Sequence, residues 1–326
     1  MINWVMEIAR GVCVEPAPLV SVIIPTYRAA AYIDGTLDSV FAQSFPKFEI
    51  LLVNDGSPDT SDLERVLQPY LDRIVYIKQE NRGQAGARNT GLANARGEFV
   101  CFLDNDDQWE PEFLSFQTSV MQANPDLAVH YCDAVVFGDT PRSGRSVMEF
   151  TPSTGEATFR SLASLDCTVL NCAAMSRRDA VLRAGKFDES LRYGEDIDLW
   201  LRIARQGGRI GYQRKILARF RLRPDSVSTD VIRMTEGYLK ALNSIRNSPG
   251  ISGSDADFLD LQIARGVASL DLLKGKDALR RGDTETAVQY LESANAHYHR
   301  FKIGVSIFFL RAAPRLFLSS YRRLLG

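Results

Sequence analysis

The stretch that decides the fold is FVCFLDNDD, residues 99–107, in which a short apolar run ends in three aspartates. Continuous apolar runs of this length are typical of buried strands. Open α/β sheets bind ligands beyond the carboxyl ends of their strands, where Asp104, Asp106 and Asp107 are expected to lie. Like charges this close repel and favour a bound cation, and carboxylate oxygens suit Mg²⁺ or Mn²⁺. The alternative is a solvated acidic loop in which Asp107 caps the next helix.

Strand and helix patterns alternate along the chain that precedes this run. They follow the order strand 19–24, helix 31–43, strand 48–53, helix 60–71, strand 74–77 and helix 85–95. This alternation predicts an α/β fold with a mixed, mostly parallel sheet and helices on both faces. Beyond it, the sequence predicts a strand at 168–174 and two separate strands at 208–212 and 216–222.

The composition changes near Pro224, and helical periodicity dominates from Asp230 onward. We therefore predict an N-terminal extension at 1–18, an α/β domain at 19–229 and an all-helical C-terminal region at 230–326. The extension is not predicted to be a signal peptide, because Glu7 and Arg10 interrupt its apolar residues. No run of about 18 apolar residues predicts a membrane-spanning segment.

The overall charge and the cysteines exclude some classes of function. The chain has 326 residues and a formal net charge of −1, which argues against general nucleic-acid binding. Its five cysteines form no CxxC pair and are odd in number, as expected for reduced thiols of an intracellular protein. The three histidines do not cluster with them at ligand spacing, so no zinc site is expected.

Two polar residues beside the predicted strands are further candidates for a site. Asp55 ends the second strand and could accept a hydrogen bond from a base or a ribose, although Asp-Gly is also a strong turn signal. Arg88 could donate charge-assisted hydrogen bonds to a diphosphate. Its alternative is a solvated arginine on a helix.

A second acidic group, Glu195 and Asp196, follows Gly194 at the predicted start of a helix. Carboxylates near a helix N-terminus are stabilised there, so capping is one interpretation. The other is a general base that faces the acceptor of a transferred group. Asp198, on the next turn, is expected to support the helix.

Five motifs occur in chain order: SVIIPTY at 21–27, VNDGS at 53–57, NRG and ARNTG at 81–91, FLDNDD at 102–107 and GEDIDLW at 194–200. Together they resemble the motifs of the family-2 glycosyltransferases of GT-A fold. The resemblance covers roughly residues 20–228 and implies a GT-A (Rossmann-like) catalytic domain. It also implies inverting, non-processive transfer of a sugar from a nucleoside-diphosphate sugar, of which UDP-sugars are the commoner. The implied acceptor is a glycan or a lipid-linked molecule in cell-surface polysaccharide synthesis.

The resemblance also assigns roles to individual residues. Asp104 and Asp106 would form the metal-binding pair, with Asp106 as the principal ligand of Mg²⁺ or Mn²⁺. Asp196 would be the catalytic base, with Glu195 and Trp200 supporting the acceptor side. The nucleotide-binding residues would be Pro25, Thr26, Tyr27, Asp55, Arg88 and Asp104.

The sequence departs from the family pattern after the last predicted strand. Many relatives carry a metal-binding histidine in this segment, whereas here FRLRPDS, residues 220–226, places Arg223 at that position. An arginine cannot ligate a metal at ordinary pH. We expect Arg223 to contact the diphosphate, with water completing the metal shell. The alternative is a surface arginine with weak or absent metal binding.

The last 27 residues, 300–326, contain six basic residues and no acidic one, interspersed with bulky apolar residues. This composition suits an interfacial helix on anionic lipid, kinked at Pro314. The alternative is a terminal helix packed on the protein. We therefore expect a cytoplasmic protein in peripheral contact with the inner face of the membrane.

Two other functions compete with sugar transfer. A sugar-phosphate nucleotidylyltransferase would need a glycine-rich, basic loop after the first strand, whereas this chain has PTYR at 25–28. A non-catalytic scaffold could act through the helical tail. The presence of Asp104, Asp106 and Asp196 speaks against the scaffold.

Overall fold

The computed structural model describes residues 7–10, 17–223 and 229–325, with side chains described for 17–223 and 229–319. The chain divides into two compact units, Met1–Ser226 and Val227–Gly326. Cys13 and most of the predicted extension lie outside the described residues. The assignment of 1–18, 19–229 and 230–326 to an extension, a catalytic domain and a helical region stays a prediction.

The first unit is built on a nine-stranded sheet, as far as the described residues show, in the order β1-β4-β3-β2-β5-β8-β7-β9-β6. The pairings make β2, β3, β4, β5, β7 and β9 run in one direction and β1, β6 and β8 in the other. The predicted mixed, mostly parallel sheet is therefore confirmed. The strands are β1 Glu7–Arg10, β2 Val20–Thr26, β3 Phe48–Asp55, β4 Val75–Gln79, β5 Phe99–Phe102, β6 Gln108–Trp109, β7 Leu127–Phe137, β8 Ala174–Arg177 and β9 Arg209–Arg221.

Helices cover both faces of this sheet, as the residues of β2 show. Val22 packs in the main core with Leu37. The next residue, Ile23, points to the other face, where its Cγ2 would lie 2.4 Å from a Cβ added at Gly91. Since strand side chains alternate between faces, helices must pack on each. The helices are α1 Ile33–Phe41, α2 Thr60–Leu67, α3 Gly83–Asn94, α4 Phe113–Ala123, α5 Phe159–Ala163, α6 Arg178–Arg183 and α7 Glu195–Arg205.

Three predicted strands differ from the structure. The predicted strand at 168–174 is wrong, because Asn171–Ala173 is a 3₁₀ turn and β8 starts only at Ala174. The strands predicted at 208–212 and 216–222 are one strand, β9. Its pairing with β7 shifts register between Tyr131 and Ala134, and such bulges let a strand continue through a polar stretch.

The second unit is helical throughout the part that the structure describes, as predicted. Gly282 ends α9 in the left-handed region at φ 84°, and Asp283 caps α10 by accepting the N–H of Thr286 at 3.1 Å. Pro314 is the first residue of α12, so the tail divides where a kink was predicted. The helices are α8 Val231–Arg246, α9 Gly253–Arg281, α10 Thr284–Tyr298, α11 Phe301–Ala312 and α12 Pro314–Leu325. Within the described residues, none combines the length and apolar character that a bilayer-spanning helix requires.

Candidate active site

The carboxyl ends of β2, β3 and β5 lie side by side, because these neighbouring strands are parallel. Hydrogen bonds join the loops that follow them. The N–H of Arg28 donates to Ser57 Oγ at 2.7 Å, and the side-chain amide of Asn105 donates to the Pro25 carbonyl at 3.0 Å. Most of the sequence-predicted site residues therefore follow strand ends that share one edge of the sheet.

Asp55 is buried at the end of β3 and held in a fixed orientation. Its Oδ1 accepts the Gln79 side-chain amide at 2.6 Å and the Arg82 backbone N–H at 2.8 Å. Burial raises the pKa of this carboxyl, and the two hydrogen bonds oppose that rise. The carboxylate thus organises the loop after β4, and its fixed position suits recognition of a base or ribose donor.

The three residues at the end of β2 differ in accessibility. Pro25 and Thr26 are buried, whereas Tyr27 is 43% exposed. Arg28 then adopts a left-handed conformation at φ 52°, which turns the chain sharply away from the strand. Of the three predicted pocket residues, Tyr27 is therefore the one whose side chain is open to a ligand.

Arg88 joins two acidic parts of the site that are distant in sequence. Its Nη2 donates to Asp104 Oδ1 at 2.8 Å and its Nη1 donates to Glu195 Oε1 at 2.7 Å. The arginine is only 2% exposed, and a buried guanidinium requires such compensation. The side-chain amide of Gln84 also donates to Asp104 Oδ1, at 2.8 Å. The Asp104 loop and the start of α7 therefore share one hydrogen-bonded network.

Asp106 pairs with the arginine that stands at the expected histidine position. Arg223 Nε lies 3.1 Å from Asp106 Oδ2, and the Arg223 guanidinium stacks over the Tyr32 ring at 4.6 Å. Burial and the nearby Asp104 charge raise the pKa of Asp106, whereas Arg223 and Arg221 lower it. Arg223 thus supplies positive charge directly at the predicted metal ligand.

Asp107 does not cap the next helix, so that prediction is wrong. Helix α4 begins at Phe113 with Glu112 as its cap residue, and Asp107 is buried several residues earlier. Its Oδ1 accepts the backbone N–H of Arg221 at 2.7 Å, and its carbonyl accepts the Thr36 hydroxyl at 2.8 Å. Asp107 therefore fastens the acidic loop to the end of β9, which brings Arg223 to Asp106.

The donor set at this loop fits a divalent cation that arrives with a phosphate ligand. Asp104 and Asp106 offer hard carboxylate oxygens, as Mg²⁺ and Mn²⁺ prefer. Among the described residues, no three His, Cys, Asp or Glu side chains are grouped to hold a metal ion by themselves.

The start of α7 carries the second acidic group. Gly194 adopts φ 79°, a left-handed conformation that turns the chain into the helix at Glu195. Burial raises the pKa of Glu195 to about 7, and it also raises the pKa of Asp196. Arg88 counteracts both shifts by stabilising the charged forms. Asp196 is thus a carboxylate with an elevated pKa, a property that a general base uses.

The remaining residues of this motif support the helix. Asp198 is buried and accepts from Arg202 at 2.6 Å, as predicted for a supporting residue. Trp200 is 2% exposed, so any effect on the acceptor side acts through packing. Sequence reasoning missed Gln84 and Asn105, which contact Asp104 and the Pro25 carbonyl. Gln84 follows the NRG motif and Asn105 lies within FLDNDD, but only the fold shows where their amides point.

Acidic residues gather at the carboxyl edge of a mostly parallel α/β sheet, and this combination of fold and site is typical of a class of transferases. Residues 21–183 match the model of the family described as glycosyl transferase family 2. The chain belongs to this family. It is 32% identical over 218 residues to TuaG of Bacillus subtilis, a glycosyltransferase assigned to teichuronic acid biosynthesis, covering 65% of this chain and 82% of TuaG. It is 31% identical over 225 residues to the uncharacterized glycosyltransferase RP339 of Rickettsia prowazekii, covering 68% and 70% of the two chains.

Solved structures share the fold at low sequence identity. S. aureus TarS 1–349 in complex with UDP-GlcNAc aligns with a TM-score of 0.60 at 19% identity, covering 93% of this chain and 91% of that chain. The mannosyltransferase PcManGT from Pyrobaculum calidifontis, in complex with GDP-Man and Mn²⁺, aligns with a TM-score of 0.61 at 23% identity, covering 92% and 81%. The GT-A fold expected from the motifs is therefore confirmed.

Proposed function

We propose that this glycosyltransferase is inverting and non-processive, and that its donor is a nucleoside-diphosphate sugar with UDP as the nucleotide. Its acceptor is a glycan or a lipid-linked molecule in cell-surface polysaccharide synthesis. The relationship to TuaG supports that process, and the UDP-GlcNAc complex of TarS supports the donor.

The observation that carries the proposal is the Arg88 bridge. Its guanidinium bonds Asp104 on the donor side and Glu195 beside Asp196. Sugar transfer requires a donor site and an acceptor base in fixed relation, because reacting atoms must meet in near-attack geometry. A single buried arginine provides such a relation between two segments that are distant in sequence.

The donor side accounts for nucleotide binding. Asp55 is oriented to accept from the base or the ribose, and Tyr27 is exposed for contact with the nucleotide beside Pro25 and Thr26. Arg88 neutralises Asp104 and so lets an anionic diphosphate approach the acidic loop. Arg223, paired with Asp106, supplies a second positive charge at which the diphosphate can bind.

The metal site consists of Asp106 as principal ligand and Asp104 as support. A bound Mg²⁺ or Mn²⁺ would act as a Lewis acid that neutralises the charge developing on the leaving diphosphate. The relative PcManGT was determined in complex with Mn²⁺, which supports this choice of ion.

On the acceptor side, Asp196 takes the proton of the attacking hydroxyl. Burial raises its pKa, which improves its strength as a base, and the Arg88 charge opposes that rise. General-base assistance of this kind contributes about 10²–10⁴-fold to the rate. Glu195 holds Arg88 in place, and Trp200 fixes the helix through packing.

A panel of nucleotide sugars tests the proposal, with release of the nucleoside diphosphate measured with and without Mn²⁺. We expect metal-stimulated release from at least one UDP-sugar. Release of pyrophosphate from a nucleoside triphosphate and a sugar phosphate would instead identify a nucleotidylyltransferase. Failure to turn over or bind any nucleotide would leave the scaffold acting through the helical tail.

A further inference from the structure

Helix α11 has two apolar faces, and the described residues of the helical unit cover only one of them. Ile303, Ile307 and Leu310 recur at helical spacing and pack in the core of that unit against residues of α9 and α10. A surface helix normally has a polar face opposite its buried face. In α11 the opposite face is apolar as well, so we expect a further partner to bury it.

The uncovered face is formed by Phe301, Val305, Phe308 and Ala312, which recur at spacings of three and four and so share one side of the helix. Phe301 is 85% exposed and Phe308 is 64% exposed. Together with the adjacent Phe309 we call this surface the outer face of α11. Large exposed aromatic side chains in one stripe mark a surface that binds an apolar partner.

Positive charge surrounds the outer face. Arg300 and Lys302 are exposed at its N-terminal end, and Arg315 lies just beyond its C-terminal end. Arg311 is paired with Glu292 at 2.7 Å and contributes less free charge. Residues 300–326 together carry six positive charges, so the remainder of the chain carries a net charge of −7. The segment that presents the apolar face is thus net positive, whereas the remainder of the chain is net negative.

We propose that the outer face of α11 inserts into the headgroup region of an anionic lipid bilayer. Aromatic side chains on an interfacial helix enter the acyl boundary while flanking cations contact acidic headgroups. A second copy of the chain would place two positive tails together, and their repulsion disfavours that occupant. A soluble polyanion would satisfy the cations and leave the aromatic stripe in water. Membrane docking goes beyond the proposed sugar transfer and does not depend on it.

Flotation of the full-length protein with vesicles tests this proposal. We expect binding to vesicles of phosphatidylcholine and phosphatidylglycerol, weaker binding to phosphatidylcholine alone, and release by high salt. Phe308→Glu should lower the partition coefficient at least about tenfold, because an inserted phenylalanine is replaced by a charge. Lys302→Gln should lower it about fivefold, the effect of one lost charge near an anionic surface.

Leu261→Glu is the matched control, since Leu261 is an exposed apolar residue of α9 outside the tail. This variant should float like the wild type. Equal flotation of Phe308→Glu and wild type, or no binding to anionic vesicles, would overturn the proposal. Self-association without lipid that Phe308→Glu abolishes would identify a dimer surface instead. A thermal shift induced by UDP, compared across all variants, reports the donor site separately, so failure of either proposal is recognised on its own.

Discussion

The ion pair between Arg223 and Asp106 bears on how this site would bind a metal ion and a diphosphate. The arginine stands where the family resemblance leads us to expect a metal-binding histidine, and its Nε lies 3.1 Å from the Asp106 carboxylate. Two groups of opposite charge at this distance stabilise one another. A cation at Asp106 and the Arg223 guanidinium would therefore share one carboxylate, with the diphosphate as a further partner of both.

Replacing Arg223 by alanine tests its contact with the diphosphate. We expect the affinity for UDP, measured by calorimetry without divalent cation, to fall about 10–100-fold, because hydrogen bonds to charged groups contribute about 1.5–3 kcal/mol. Arg219→Ala is the control, since Arg219 lies exposed on β9, the strand that precedes Arg223. Unchanged UDP affinity in Arg223→Ala would show that this arginine only neutralises Asp106.

Arg88 is expected to set the pH range in which Asp196 is active. Burial raises the pKa of Asp196, and the Arg88 charge is the leading influence that lowers it. Arg88→Gln removes this stabilisation of the carboxylate, so the pKa rises further. The acidic limb of kcat/KM should therefore move to higher pH by about one pH unit.

Arg82→Gln provides the comparison. Arg82 directly precedes α3, the helix that carries Arg88, but its side chain pairs with Glu189 and is half exposed. Its acidic limb should coincide with that of the wild type. If the acidic limb of kcat/KM in Arg88→Gln coincides with that of the wild type, or moves to lower pH, the electrostatic role of Arg88 is contradicted. Chemical denaturation of both variants checks that each is folded.

At the scale of elements, the position of α3 on the sheet decides where Arg88 lies. Gly91 sits three residues after Arg88 and faces Ile23 of β2, where an added Cβ would lie 2.4 Å from Ile23 Cγ2. The absence of a side chain at Gly91 lets helix and strand approach closely. This approach buries Arg88 and aims its guanidinium at Asp104.

Gly91→Ala should therefore destabilise the protein by about 1–3 kcal/mol, the usual cost of overpacking a core. The sign of this change in the free energy of unfolding is informative, because alanine in a helix interior normally stabilises by about 1 kcal/mol relative to glycine. Urea denaturation followed by circular dichroism measures the change. Ala93→Ser is the control on the exposed side of α3. A Gly91→Ala protein more stable than wild type would mean that α3 can move outward without cost.

For the whole molecule, local patterns predicted the alternating strands and the helical region, and motifs nominated the candidate site residues. These features depend on periodicity and on motifs within a few residues, which a sequence displays directly. The capping role of Asp107 was wrong because its partner, the Arg221 N–H, belongs to a strand 114 residues away. The Arg88 bridge to Glu195, 107 residues away, was not predicted for the same reason. Such pairings depend on topology and carry no local signal.

We propose that Asp196 acts as the base of a nucleotide-sugar transferase. The most direct measurement compares Asp196→Asn with the wild type for release of UDP from the donor that the panel identifies, with water as the acceptor, alongside donor-induced thermal shift. We predict a loss of about 10²–10⁴-fold in turnover, the contribution of a general base, with donor binding unchanged. Equal rates of UDP release in the two proteins would show that Asp196 is not the base.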